Sequence, residues 1–166
     1  GKMPLDADLE GLAKRETRKI VRGILYRHNH GDPEFLLLLK PKTGTEITYW
    51  QAIQGGIKTY ETPEQALLRE IGEEADIKNP GVLRVLGWSA KKSSYVSTRM
   101  KAGVNIPTIS PVKAFAVELL NPNYPIKVGK EDNHIRYDWF PYRKAITALE
   151  TEPTHADQSR VFIDVV

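Results

Sequence analysis

Residues 55–77, GGIKTYETPEQALLREIGEEADI, constrain this chain more than any other stretch. Thr62-Pro63-Glu64 is a helix start: a hydroxyl to cap the first N–H groups, a proline where no N–H is needed, and an acid in the first turn. The helix is expected to run to about Ala75. At about 100° per residue, Leu67, Leu68, Ile71 and Ala75 gather into an apolar stripe. Glu70, Glu73 and Glu74 fall in the sector opposite, with Arg69 beside Glu73. Carboxylates that close repel one another and weaken the helix unless positive charge is held among them. A hard divalent cation, bound through carboxylate oxygens with waters retained, meets that need. A solvated acidic face is the plain alternative.

The rest of the chain sets limits. Its 166 residues suit one domain with a sizeable core, expected over residues 15–166 with 1–14 as a flexible lead-in. Cysteine is absent, which excludes disulfides, thiolate metal sites and cysteine nucleophiles. No apolar run reaches membrane-spanning length and no signal-peptide pattern is present, so a cytoplasmic protein is expected. The net charge of +3 includes the acidic cluster, so the remaining surface is the more basic, which suits a polyanionic substrate.

Alternation and β-branched content predict strands at 17–27, 34–40, 49–54, 82–90, 95–98, 112–120 and 135–140. Turn chemistry predicts loops at 28–33, 44–48, 101–111 and 121–130. A short helix is expected from Pro141, including 144–149, and another over 155–166. That order points to an α/β fold, a mixed sheet sandwiched by helices.

Gly55, Glu61, Arg69, Glu70, Ile71, Glu73, Glu74 and Ile77 together resemble the signature box of the Nudix hydrolases: Gly, five residues, Glu, seven residues, Arg-Glu, an aliphatic, any residue, Glu-Glu, any residue, Gly, an aliphatic. Asp76 stands where the box has its last Gly, just past the helix end, where Asp tolerates left-handed backbone. The resemblance implies an α/β/α sandwich. It also implies hydrolysis of a nucleoside diphosphate linked to another moiety, with Mg²⁺ or Mn²⁺ as cofactor. Carried over, Glu73 and Glu74 are the main metal ligands and Glu70 is a third ligand or the general base. Arg69 orients the carboxylates, and the Gly55 carbonyl is a further ligand. Arg69, Glu70 and Glu73 form the catalytic set. Glu61 completes the loop or reaches the metal through water. A late acidic residue is implied too, with Glu131 and Asp132 as candidates and Asn133 standing where related chains carry Glu.

On the substrate side, Lys40 or Lys42, at the end of the strand over 34–40, is within reach of a phosphate, a solvated strand end being the plain alternative; Lys40 is taken as the candidate. The run Trp50-Gln51-Ala52-Ile53-Gln54-Gly55-Gly56-Ile57 resembles dinucleoside-polyphosphate hydrolases and RNA 5′-pyrophosphohydrolases, and Tyr95 falls where the former carry a base-stacking Tyr. A dinucleoside polyphosphate of the Ap4A type is therefore the first reading. The segment His134-Ile135-Arg136-Tyr137-Asp138-Trp139 also resembles deoxynucleoside or pterin triphosphate pyrophosphohydrolases, which is the alternative. A catalytically silent nucleotide-binding module is the third reading. Neither a membrane nor nucleic acid beyond a 5′-triphosphate end is expected as a partner.

Overall fold

A computed structural model describes residues 19–88, 93–129 and 133–151, with the backbone alone at 88, 93–101 and 105–109. The lead-in expected over 1–14 and the helix expected over 155–166 lie outside the described residues.

The chain forms β1 (Ile20–Asn29), β2 (Asp32–Pro41), β3 (Thr48–Gln51), β4 (Ile53–Gly56), α1 (Pro63–Ala75), β5 (Leu83–Trp88), β6 (Ser93–Lys101), β7 (Val104–Leu119), β8 (Arg136–Pro141) and α2 (Tyr142–Glu150). The strands make one mixed sheet. Its path is β3-β2-β1-β7-β5, with β4 on β1, β6 on β7 and β8 on β2. Among the described residues only β1 and β7 pair in parallel; the other pairs are antiparallel.

Helices cover both faces, so the central strands are apolar on both sides. In β2, Leu36 and Leu38 join Val21, Leu25, Ile53, Leu67 and Ile71 under α1. Phe35 and Leu37 point the other way, into a cluster with Ile24, Ala52, Ala145 and Leu149 under α2. This alternation explains the unbroken Phe-Leu-Leu-Leu-Leu run. Each such side chain contributes about 1.5–3 kcal/mol on burial.

Helix α1 starts and ends as its sequence predicts. Thr62 Oγ1 accepts the Gln65 N–H, and Gln65 Oε1 accepts the Thr62 N–H, a reciprocal cap. Asp76 closes the helix in the left-handed region (φ 59°).

Three expectations are corrected. The strand expected over 49–54 is two strands: β3 pairs with β2, β4 pairs with β1, and the chain changes partner at Ala52. The loop expected over 101–111 is mostly strand. Ala102 and Gly103 alone make the turn, and Pro107 and Pro111 lie in β7 opposite Thr98 and Ser94. Among the described residues this part of β7 is paired on one flank only, where a proline's missing N–H is tolerated. The third concerns the faces of α1. Its buried arc is Ala66, Leu67, Glu70, Ile71, Glu74 and Ala75, while Leu68 is only half-buried. Glu70 and Glu74 thus lie on the core side of the helix, and Glu73 turns outward.

Candidate active site

The site is built where β4 runs alongside α1. Two consecutive residues of β4 meet two carboxylates one helical turn apart. The Gln54 N–H donates to Glu74 Oε2 at 3.1 Å. At Gly55 a Cβ would fall inside the Glu70 carboxylate, so only glycine lets that group lie on the strand backbone.

The loop after β4 is folded back by Glu61, whose Oε1 accepts the Lys58 N–H at 2.9 Å. Arg69 then gathers the acids. Its Nε donates to Glu61 Oε2 at 2.7 Å and its Nη2 to Glu61 Oε1 at 3.0 Å, a bidentate pair. Its Nη1 donates to Glu70 Oε1 at 2.7 Å and to Glu73 Oε2 at 3.2 Å. The remaining Nη2 hydrogen goes to the Gly56 carbonyl at 2.8 Å. Five acceptors thus meet the five N–H groups of a guanidinium.

The electrostatics follow from this geometry. The hydrogen bonds from Arg69 hold the Glu61 carboxyl down to about 2, with the Lys58 N–H adding to the effect. In turn Arg69 is held charged even more firmly than usual, first by Glu61, against the opposing effect of burial, and then by Glu70.

Glu74 belongs to a different group. It is 1% exposed, and its Oε1 lies 3.8 Å from Nε2 of the equally buried His134. That ring nitrogen is 2.7 Å from Gln51 Nε2. The segment leading to His134 caps the helix end: the Lys127 N–H donates to the Ala75 carbonyl at 3.1 Å, and the Gly129 N–H to the Glu74 carbonyl at 3.2 Å.

Glu61, Arg69, Glu70, Glu73 and Gly55 are therefore brought together, with Glu74 on the adjoining core side. Lys40 pairs with Tyr49 near the end of β2, and the strand alternation puts it on the α1 face, two residues past Leu38. Trp50 is on the other face. It packs edge-on against Phe140 at 4.9 Å, with Arg136 over its ring, and is not brought to the carboxylates. Tyr95 sits in β6 opposite Ser110, its side chain outside the described residues. Glu131 and Asp132 lie outside them too. Gln51, Gln54, Gly56 and Gly129 are additions from the structure. The signal for the two glutamines was a polar residue at each flank of the buried Ala52-Ile53 pair.

Hard oxygen donors dominate this site, which suits Mg²⁺ or Mn²⁺ rather than a softer ion. Glu73, one-third exposed, gives one oxygen to Arg69. Yet among the described residues no three acidic or histidine side chains converge to enclose an ion. Arg69 occupies the centre of the cluster instead. A cavity of about 320 Å³ opens beside Glu61, lined by Ile57 after β4, Pro63 at the start of α1, Lys19 and Ile20 where β1 begins, and Lys113 of β7.

A NUDIX domain model matches residues 17–164 of this chain. The chain belongs to the Nudix family. As a Nudix hydrolase it is a pyrophosphohydrolase, and the family generally uses divalent metal ions. Solved structures agree in fold. An Ap4A hydrolase from C. elegans, in a binary complex, is 22% identical with a TM-score of 0.65, over 89% of this chain and 94% of that one. The Nudix hydrolase RenU from M. smegmatis is 16% identical with a TM-score of 0.65, over 89% and 84%. The dihydroneopterin triphosphate pyrophosphohydrolase of E. coli is 18% identical with a TM-score of 0.63, over 87% and 94%. No helix among the described residues is long and apolar enough to cross a membrane.

The Gly55 contact yields a direct expectation. Gly55→Ala should displace the Glu70 carboxylate, destabilise the fold by about 1–3 kcal/mol through overpacking, and lower kcat by about 100-fold through misplacement. Steady-state kinetics beside a thermal melt checks this. Wild-type kcat in the alanine variant would mean that Glu70 need not lie against the strand.

Proposed function

We propose that this Nudix hydrolase is a cytoplasmic, Mg²⁺-dependent enzyme (Mn²⁺ serving in its place) that cleaves a pyrophosphate linkage of a dinucleoside polyphosphate of the Ap4A type. The observation that carries the hydrolytic part is the Glu70 carboxylate, lodged on Gly55 and bonded to Arg69 at 2.7 Å. Glu73 and Glu74, with the Gly55 carbonyl, would hold the ion, leaving Glu70 as the general base rather than a third ligand. When bound, it neutralises the diphosphate and lowers the pKa of a water. Glu70, aimed by Arg69, takes a proton as the water oxygen bonds to phosphorus and the anhydride P–O bond breaks. Glu61 keeps Arg69 in place and does not reach the reacting atoms. Lys40 meets the outer phosphates and Tyr95 stacks on a base, with Glu131 as a further substrate contact, while Trp50 packs on the opposite face of the sheet.

The choice of substrate is supported by the Trp50–Ile57 run and by the fold shared with the C. elegans Ap4A hydrolase. The rival reading, a nucleoside or pterin triphosphate pyrophosphohydrolase, is supported by the likeness in fold to the E. coli enzyme. Product analysis with Mg²⁺ separates them, using diadenosine tetraphosphate, deoxynucleoside triphosphates, dihydroneopterin triphosphate, ADP-ribose and 5′-triphosphorylated RNA. ATP with AMP from the dinucleotide is the expected result. Pyrophosphate released from a triphosphate instead transfers the assignment to the rival, and Mg²⁺ binding without any turnover leaves a nucleotide-binding module.

A further inference from the structure

We propose that His134 is a positioning residue for Glu74, held to that task by Gln51. The proposal rests on the reading of Glu74 as a ligand of the catalytic ion. His134 is far from α1 in sequence, yet its side chain is fully buried, with Nε2 2.7 Å from Gln51 Nε2 and 3.8 Å from Glu74 Oε1. The other carboxylate oxygen, Oε2, accepts the Gln54 main-chain N–H at 3.1 Å. One oxygen is fixed by a bond and the other is walled in by an imidazole. Turning the carboxylate about its last bond would break the bond from the Gln54 N–H and change the distance of the other oxygen from the ring. At 3.8 Å the ring acts through its volume and polarity, since the distance exceeds a hydrogen bond.

The main chain reinforces the arrangement. Gly129 donates to the Glu74 main-chain carbonyl, while His134 faces its carboxylate without bonding to it. A Cβ at residue 129 would strike the Glu73 carbonyl, so the approach is as close as a glycine allows. On the far side of His134, the Ile135 N–H donates to the Leu39 carbonyl at 2.8 Å and ties the main chain next to His134 to β2. A buried imidazole against a buried carboxylate does little for stability that apolar side chains of the same volume would not do. What it supplies is a defined carboxylate orientation, the service that neighbours of a metal ligand perform.

The test is Mn²⁺ binding to the full chain, titrated by electron paramagnetic resonance, with thermal melts alongside. His134→Leu should fold and bind Mn²⁺ about 10–100-fold more weakly, the usual effect of removing such a support. His134→Gln, which returns a polar group of similar reach, should recover much of that affinity. Gln51→Leu, which removes the amide facing the ring nitrogen, should show a smaller loss. A lowered Tm with wild-type Mn²⁺ affinity in His134→Leu would overturn the proposal, because a purely structural role predicts that pattern. If His134→Leu does not fold, Gln51→Leu decides in the same way: weakened binding supports the proposal and unchanged binding overturns it. Glu74→Gln serves as reference. Wild-type Mn²⁺ affinity there would remove the reading of Glu74 itself, whereas loss in Glu74→Gln with none in the His134 and Gln51 variants removes this proposal alone.

Discussion

Arg69→Met should be the most destabilising single change in the site. Three carboxylates converge on its guanidinium at 2.7–3.2 Å, and Met would leave them facing one another with no cation between them. Removing one partner from a buried pair costs about 3–5 kcal/mol. Arg69 is one-fifth exposed, so the lower end, about 3 kcal/mol, is expected. For a domain of this size that corresponds to a fall in Tm of about 6–12 °C. Mg²⁺ should restore part of the loss if it binds the relieved carboxylates, by ordinary linkage. The acid limb should change as well. Glu61 is held at about 2 by Arg69, below its ordinary range, so its contribution is present above the unfolded value and lost as pH falls through about 2. In the Met variant that acid-dependent decline should flatten. Thermal melts between pH 2 and 7, with and without Mg²⁺, check both points, and an unchanged Tm at neutral pH would show the cluster to be energetically idle.

Glu73→Gln should do the reverse, sparing the fold and abolishing most turnover. Glu73 is one-third exposed on the outward side of α1 and makes a single 3.2 Å bond to Arg69, four residues back along the helix. Surface changes of this kind stay within about 0.5 kcal/mol. Its proposed work is in holding the catalytic ion, and since losing even a neighbour of a metal ligand costs about 10–100-fold, loss of the ligand itself should lower kcat by at least about 100-fold. Kinetics at saturating Mg²⁺, paired with a melt, is the measurement. A variant as active as wild type would mean that the reactive centre lies elsewhere on the chain.

The elements that sequence made legible are those written in local chemistry. Thr62, Pro63 and Asp76 mark the ends of α1 because caps act over three or four residues, and the run from Phe35 to Leu39 reads as a buried strand from its composition alone. What stayed hidden depends on partners far along the chain. Nothing local to residues 49–54 says that pairing switches from β2 to β1 at Ala52. The prolines at 107 and 111 argue for a loop until β6 is seen beside them. The helical angles were sound, but the buried arc centres on Leu67 rather than Leu68. Glu70 and Glu74 therefore face β4, and this is only possible because Gly55 has no side chain and Gln54 offers its N–H. His134 reaches Gln51 across 83 positions, a pairing that no spacing rule anticipates.

The five-fold saturation of Arg69 has a consequence for how substrate arrives. With every N–H turned inward, the guanidinium has no donor left for an incoming phosphate. Close to the site the centre presents more negative charge than positive, so a polyphosphate drawn in by the more basic surface meets local repulsion there until a cation is bound. On the proposed reading, metal and nucleotide then enter as thermodynamic allies: each raises the affinity for the other by the same factor. The Kd for nucleotide would therefore fall as Mg²⁺ rises, so the free magnesium level would set how much of the enzyme is loaded.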